Sequence, residues 1–229
     1  MLRCAATASA VPRADGNEVE VGGEVGAFVA IEGIDQAGKM TQARALQERV
    51  RAAGLGCEVR HYPDYETAIG RLIRSFLGDG PHLDPRTRCM LFAANRWEQD
   101  TLMRGLVAGN ALVCVDRYTD SNVVYGLSQG LDEGWLRGLE VGLLEPDLTL
   151  LVDISPAESR RRKQQERDDY ERNARLLDEA RSHYVRIARQ RSWAIIDGTG
   201  APEAVQARLV AAVAARLGAR WPDLARALV

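Results

Sequence analysis

The segment FVAIEGIDQAGKMTQ, residues 28–42, passes from an apolar run through a glycine-bounded turn into a helical pattern. Gly33, Gly38 and Lys39 fit the spacing G-x-x-x-x-G-K. In that arrangement backbone N–H groups at a helix start face a phosphate, and the lysine reaches the outer phosphates as a point charge. Only two of the 30 basic residues, Lys39 and Lys163, are lysine, so a lysine in this slot is not a compositional accident. Met40 occupies the position where the pattern carries a hydroxyl for magnesium. Magnesium takes hard oxygen ligands, and a thioether cannot stand in for one. The missing contact must come from Thr41 or from an additional water.

Three further segments carry candidate chemistry. In CMLFAANRWEQ, residues 89–99, Phe92 and Arg96 are four apart and share a helix face. A ring and a guanidinium side by side suit a nucleobase, although a core Phe beside a surface Arg is the plainer reading of the pair alone. In VCVDRYTDSNVVY, residues 113–125, Asp116 and Arg117 fall just past a strand, at the edge where parallel sheets bind ligands. Asp116 can hold a magnesium-bound water, and Arg117 can grip a phosphate at two points. In SRRRKQQERDDYERN, residues 159–173, Arg160, Arg161, Arg162, Lys163 and Arg167 stand between two helical patterns. Such a run is often a solvated face, but beside a phosphate loop it reads as a lid that closes cations over a migrating phosphoryl group.

Positioning these residues requires alternating strands and helices. Apolar runs at 27–31, 57–62, 111–115, 148–154 and 193–196 are expected strands, and amphipathic stretches at 40–53, 66–77, 84–108, 132–143, 156–165, 172–190 and 202–217 are expected helices. Near-continuous apolar strands separated by such helices imply a five-stranded parallel sheet covered on both faces. The 229 residues, 46% hydrophobic and 27% charged, suit one domain. A net charge of -2 excludes a broad basic field, so nucleic acid is not an expected partner. No run approaches the roughly 20 apolar residues of a membrane span. Cys4, Cys57, Cys89 and Cys114 lack metal-ligand spacing and read as reduced thiols. A cytoplasmic location is therefore expected. Residues 1–25 read as a flexible N-terminal tail, whose first 14 residues carry two arginines, Ser and Thr and no acid, faintly like a transit peptide, but lack a clear amphipathic face, and 219–229 as a C-terminal extension.

Together, FVAIEGIDQAGKMTQ, YPDYETAIGRLIRSFL, LFAANRWEQ, VDRYTDSNVVY, LEPDLTLLVDI and ERDDYE resemble the thymidylate kinase family over about residues 26–216. GLSQGLDEGWLRGLEVGLLEPDL is most similar to archaeal members. The resemblance implies a P-loop NTPase of nucleoside monophosphate kinase type: a three-layer α/β/α sandwich on residues 26–218 with a helical lid at about 159–172. It implies transfer of the γ-phosphoryl of ATP to dTMP with Mg2+, and a homodimer to which 84–108 contributes. Gly33, Ile34, Asp35, Gln36, Ala37, Gly38, Lys39, Met40 and Thr41 would bind ATP, with Arg162 stacking on adenine. Phe92 would stack on thymine, Arg96 would bond its edge, Arg117 would hold the dTMP phosphate, and Tyr170 would cover the acceptor. Asp35 would approach the 3′-hydroxyl, and Tyr125 would fill the space of a ribose 2′-hydroxyl. Lys39, Asp116, Arg117, Arg162 and Arg167 are the implied catalytic groups, and Asp116 with Thr41 the implied metal contacts.

The chain departs from the family pattern at Gln36 and Tyr65, where many members carry arginine, and at Asp169 before Tyr170. The first departure shifts the cationic role to Arg161, Arg162 and Arg167. Two alternatives stay open: a kinase for another pyrimidine monophosphate, and a catalytically silent nucleotide-binding protein, for which Met40 is the argument.

Overall fold

The computed structural model describes residues 11–12, 18–19, 25–77, 83–162 and 174–229. Five strands form one parallel sheet: β1 (Ala27–Glu32), β2 (Cys57–His61), β3 (Leu112–Asp116), β4 (Leu148–Asp153) and β5 (Ala194–Asp197), in the order β2-β3-β1-β4-β5. Every neighbouring pair is parallel, with Val29 opposite both Cys114 and Leu148. Every residue of β1 is buried, as expected for the central strand of a sheet covered on both sides. Ala27, Val29 and Ile31 join a core cluster with Ala43, Leu46 and Val50 of helix α1 (Lys39–Ala52). Phe28 and Ala30 point the other way, into a cluster with Met103 and Val107. The five expected strands match in number, direction and position to within a residue or two.

The expected helix over 84–108 is two helices, α3 (Pro85–Trp97) and α4 (Asp100–Gly109), following α2 (Ala68–Leu77). The ladder tightens at the break, where Gln99 N donates to Arg96 O. Side chains hold it there. Glu98 accepts from Thr67 Oγ1 at 2.5 Å and from Asn95 Nδ2 at 2.7 Å, and Gln99 Nε2 reaches Asp64 at 3.3 Å. The break therefore docks the ANRWEQ segment onto the YPDYET turn.

Helix α5 (Thr119–Leu127) was not anticipated, since Asp120, Asn122, Val123 and Val124 are weak helix formers. Its start is secured from a distance by buried Glu32 at the end of β1. That carboxylate accepts from Tyr118 N at 2.8 Å, Ser121 N at 3.2 Å and Ser121 Oγ at 2.6 Å, and from Tyr184 OH at 2.9 Å. Helix α6 (Glu133–Gly138) is shorter than the expected 132–143, giving way at 139–143 to tight turns. Next come α7 (Pro156–Arg162), α8 (Ala174–Gln190), α9 (Pro202–Leu217) and α10 (Pro222–Leu228). The C-terminal stretch docks rather than hangs free: Leu224 and Leu228 are buried, and Trp221 Nε1 donates to Val25 O at 2.9 Å. Within the N-terminal stretch, Val11–Pro12 pairs antiparallel with Glu18–Val19. Most of the expected lid lies outside the described residues.

Candidate functional site

β1 lies between β3 and β4, so the chain leaves the sheet in opposite directions at its carboxyl end, and there a parallel sheet opens a crevice. The loop from Gly33 to Gly38 occupies it. At Gly33 (φ 147°) a Cβ would lie 2.5 Å from Val152 O, so only glycine lets the loop pass this close to β4. Gly38 caps α1 in the left-handed conformation (φ 90°), with no side-chain cap and no acid in the first turn. The N–H groups of that first turn are left for an anion, which the helix dipole also favours. Lys39 Nζ donates to Ile34 O at 3.1 Å and stands 3.8 Å from Asp116 Oδ1. Burial and nearby Arg117 hold its pKa below the ordinary 10.5, against the pull of Asp116, Asp35 and Glu32.

Across the loop, Arg162 at the end of α7 donates to Gln36 O at 3.2 Å and Gly198 O at 2.7 Å, and Glu158 accepts from its Nε at 2.8 Å. A guanidinium thus spans the phosphate loop and the turn after β5, beside the neutral Gln36. Arg161 also pairs with Glu158 but is largely exposed.

On the other side of Lys39 is a cavity of about 400 Å³, the size of a small-ligand site. Arg117 sits at its inner end in the left-handed region (φ 65°), an uncommon conformation for a residue with a side chain. It pairs with Asp35 and donates to Ser121 Oγ at 3.2 Å. Tyr125 OH donates to the other Asp35 oxygen at 2.8 Å. Burial would raise the Asp35 pKa, but Arg117, Lys39 and the Tyr125 hydroxyl outweigh it and hold the carboxyl below 3.8. Burial and Asp35 keep the Tyr125 phenol protonated, as a donor must be.

The outer end is apolar with two polar readers. Phe92 lines it, supported edge-on by Phe76 with ring centroids 6.0 Å apart. Arg96 and Asn122 line it too, and both are tied to Glu140. Arg96 Nε donates to Glu140 Oε2 at 2.9 Å and its Nη2 to Oε1, while Asn122 Nδ2 donates to Oε1 at 2.7 Å. The buried Asn122 Oδ1 has no hydrogen-bond partner among the described residues.

A family model described as thymidylate kinase matches residues 31–209. The chain belongs to the thymidylate kinase family. Among curated thymidylate kinases, that of Arabidopsis thaliana is 35% identical over 184 residues, covering 80% of this chain and 69% of that protein. The Homo sapiens protein is 32% identical over 183 residues, covering 79% and 86%. That of Thermomicrobium roseum is 38% identical over 198 residues, covering 78% and 90%. The solved structure of thymidylate kinase from Candida albicans is similar with a TM-score of 0.73 at 27% identity, covering 82% of this chain and 91% of that one.

For this thymidylate kinase family member, the structure gathers Asp35, Met40, Phe92, Arg96, Asp116, Arg117 and Tyr125 around one cavity, with Lys39 beside Asp116. Thr41 is exposed on α1, and Met40 is on the cavity wall. Arg167 and Tyr170 lie outside the described residues. Arg96 differs from the open pairing with Phe92 that the spacing suggested, because two of its nitrogens are committed to Glu140. The sequence reading missed Asn122, Glu140 and Arg44. Recognising α5 would have exposed the first, since Asn122 and Tyr125 are three apart on that helix. Arg44 lies one turn beyond Met40 on α1 and also lines the cavity.

No metal-binding group of three or more His, Cys, Asp or Glu occurs among the described residues. Magnesium in phosphoryl-transfer sites commonly needs only one or two carboxylates, with phosphates and waters completing its shell. Asp116 fits that role: its Oδ1 is buried without a hydrogen-bond partner among the described residues, next to the phosphate loop.

Proposed function

We propose that the protein transfers the γ-phosphoryl group of ATP to the 5′-phosphate of dTMP. An acceptor phosphate oxygen forms the new P–O bond as the bond to the ADP oxygen breaks, giving dTDP and ADP. The observation that carries this reading is the pair of readers in the cavity: Arg96 supplies a donor and Asn122 an unpartnered acceptor. Thymine presents carbonyl O4 beside N3–H, which matches, whereas cytosine presents an amino group beside a bare N3.

The protein's contribution to such a transfer is positioning and charge. The first turn of α1 and Lys39 hold the ATP phosphates, and Arg162 closes the donor side toward an adenine near Gly198. Phe92 stacks on thymine. Arg117, aimed by Asp35, Ser121 and Tyr125, grips the acceptor phosphate. Tyr125, fixed through its hydroxyl, occupies the space of a 2′-hydroxyl. Asp116 would hold Mg2+, with Thr41 as the second candidate contact. When bound, Mg2+ offsets the charge of the phosphate oxygens. Arg167 and Tyr170 belong to the lid, residues 159–172 of a domain spanning 26–218.

A homodimer is part of this reading. Leu72 on α2, Met90 and Trp97 on α3, Leu102 on α4 and Val141 are large, exposed and apolar. Trp97 Nε1 donates to Leu139 O and Arg104 Nη2 to Gly142 O, which draws α3, α4 and the 139–142 turn together. Exposed apolar side chains on neighbouring elements of this kind suit a second copy of the chain. No helix among the described residues is long and apolar enough to cross a membrane. Cys57, Cys89 and Cys114 are free and buried, which supports the cytoplasm as the place of action.

Release of ADP with dTMP, dUMP, UMP and dCMP as acceptors tests the reaction. The expected order is dTMP first, dUMP next, and little turnover of UMP or dCMP. A preference for a ribonucleotide would remove the thymidylate assignment.

A further inference from the structure

Glu140 has no place in the acceptor cavity's lining; it lines a neighbouring cavity, in the tight turns after α6. Yet both polar groups that would read a base are fixed to it. Exposure is 9% for Glu140, 3% for Arg96 and 4% for Asn122, so the three form a buried unit behind the cavity wall. Glu140 Oε2 accepts from Arg96 Nε, and Oε1 accepts from both Arg96 Nη2 and Asn122 Nδ2. The second partner of Asn122 Nδ2 is Cys89 O, at 3.1 Å.

The amide orientation of Asn122 follows from those partners. Both are acceptors, so turning the amide over would set Oδ1 against a carboxylate and a carbonyl and bury two repulsive contacts. With its nitrogen held back, Asn122 has only an acceptor to offer the cavity. Arg96, with Nε and Nη2 on the same carboxylate, keeps Nη1 as a donor. One carboxylate therefore sets the polarity of both readers.

We propose that Glu140 is a positioning residue that determines the base preference of this enzyme, by locking Asn122 as acceptor and Arg96 as donor toward the pyrimidine edge. This rests on the dTMP reading of the cavity. The effect acts on acceptor binding, not on the transfer step, because Glu140 reaches neither the phosphate loop nor Arg117 among its hydrogen-bond partners.

The test is steady-state kinetics of Glu140→Gln with dTMP and dCMP as acceptors. A glutamine keeps the shape but has a single acceptor oxygen for the three donors of Arg96 and Asn122, so the two readers are no longer both locked. The expected result is a rise in KM for dTMP of about tenfold or more, the effect of one charge-assisted hydrogen bond. KM for ATP stays within about twofold and kcat within about threefold, and the dTMP-to-dCMP ratio of kcat/KM falls about tenfold. A folded Glu140→Gln protein with wild-type KM for dTMP and an unchanged ratio overturns the proposal. So does a loss shared by kcat and KM for ATP, the mark of a general structural defect.

Glu140→Gln leaves Arg96 as a buried charge without its partner, which is costly. A second comparison covers failure to fold. Arg96→Met removes the charge, and Arg96→Met with Glu140→Gln removes the pair. If Glu140 also orients Asn122, the double variant has a lower dTMP-to-dCMP ratio than Arg96→Met alone; equal ratios overturn the proposal. A wild type that binds ATP but turns over no dTMP would instead show that the assigned reaction is at fault.

Discussion

Asp35 in the phosphate loop and Arg117 after β3 are 82 residues apart in sequence and form an ion pair at the inner end of the acceptor cavity. This contact links the donor loop to the acceptor grip, and Tyr125 completes it from α5. Asp35→Asn removes the charge that aims Arg117, and charge-assisted bonds of this type are worth about 1.5–3 kcal/mol. Steady-state assays should show kcat/KM for dTMP reduced by about 10- to 100-fold. A pH series of thermal unfolding adds a second check. Because the folded pKa lies below 3.8, the pair's stabilisation is present above that value and is lost as pH falls through the folded pKa. Asp35→Asn should lose part of this acid sensitivity below about pH 4; an unchanged acid limb and wild-type kinetics would sink the assignment.

Arg44 and Tyr65 line the same cavity, Arg44 from α1. Tyr65 lies under Arg74, with the guanidinium 4.8 Å from its ring centroid. No ion pair of Arg44 is found among the described residues, and its side chain is exposed. Arg44→Ala should raise KM for dTMP by about 5- to 10-fold while sparing KM for ATP and thermal stability, since exposed substitutions cost little folding energy. An unchanged KM for dTMP would leave Arg117 as the sole cationic grip contributed by the described residues.

The proposed dimer face can be broken without touching the core. Met90 is 46% exposed on α3, so a charge there is solvated in a monomer and buried only in an assembly. Met90→Glu should move the protein from dimer to monomer in sedimentation velocity, with its far-UV circular dichroism unchanged. Wild type sedimenting as a monomer at micromolar concentration would refute the face.

The strands were legible because a sheet covered on both faces writes itself as short apolar runs, as at AFVAI and ALVCV. The phosphate loop was legible because glycines at Gly33 and Gly38 meet local backbone requirements. Helix α5 was not, because its N-terminal cap comes from Glu32, 89 residues before Ser121. The helix break at Glu98 and Gln99 is likewise set by Thr67 and Asp64 in another segment. Arg96 shows the same limit within the site. Its spacing from Phe92 told which face it is on, but its partner Glu140 lies 44 residues away, in turns that a helical reading of 132–143 concealed.

Met40 is the remaining anomaly, and the structure makes it testable. Its side chain lines the acceptor cavity, and Asp116 supplies a buried carboxylate oxygen with no hydrogen-bond partner among the described residues. A carboxylate acting through water can serve magnesium, at the cost of one direct protein ligand. The wild type should therefore be active but need more magnesium than a variant with the hydroxyl restored. In a magnesium titration at saturating ATP and dTMP, Met40→Ser should reach half-maximal rate at a concentration several-fold lower, roughly what one added oxygen ligand contributes. Identical midpoints would mean that Thr41, Asp116 and water already complete the shell. A wild type inactive with every divalent metal yet still binding ATP would point to the silent alternative, and Met40→Ser would then decide whether this one side chain is the reason.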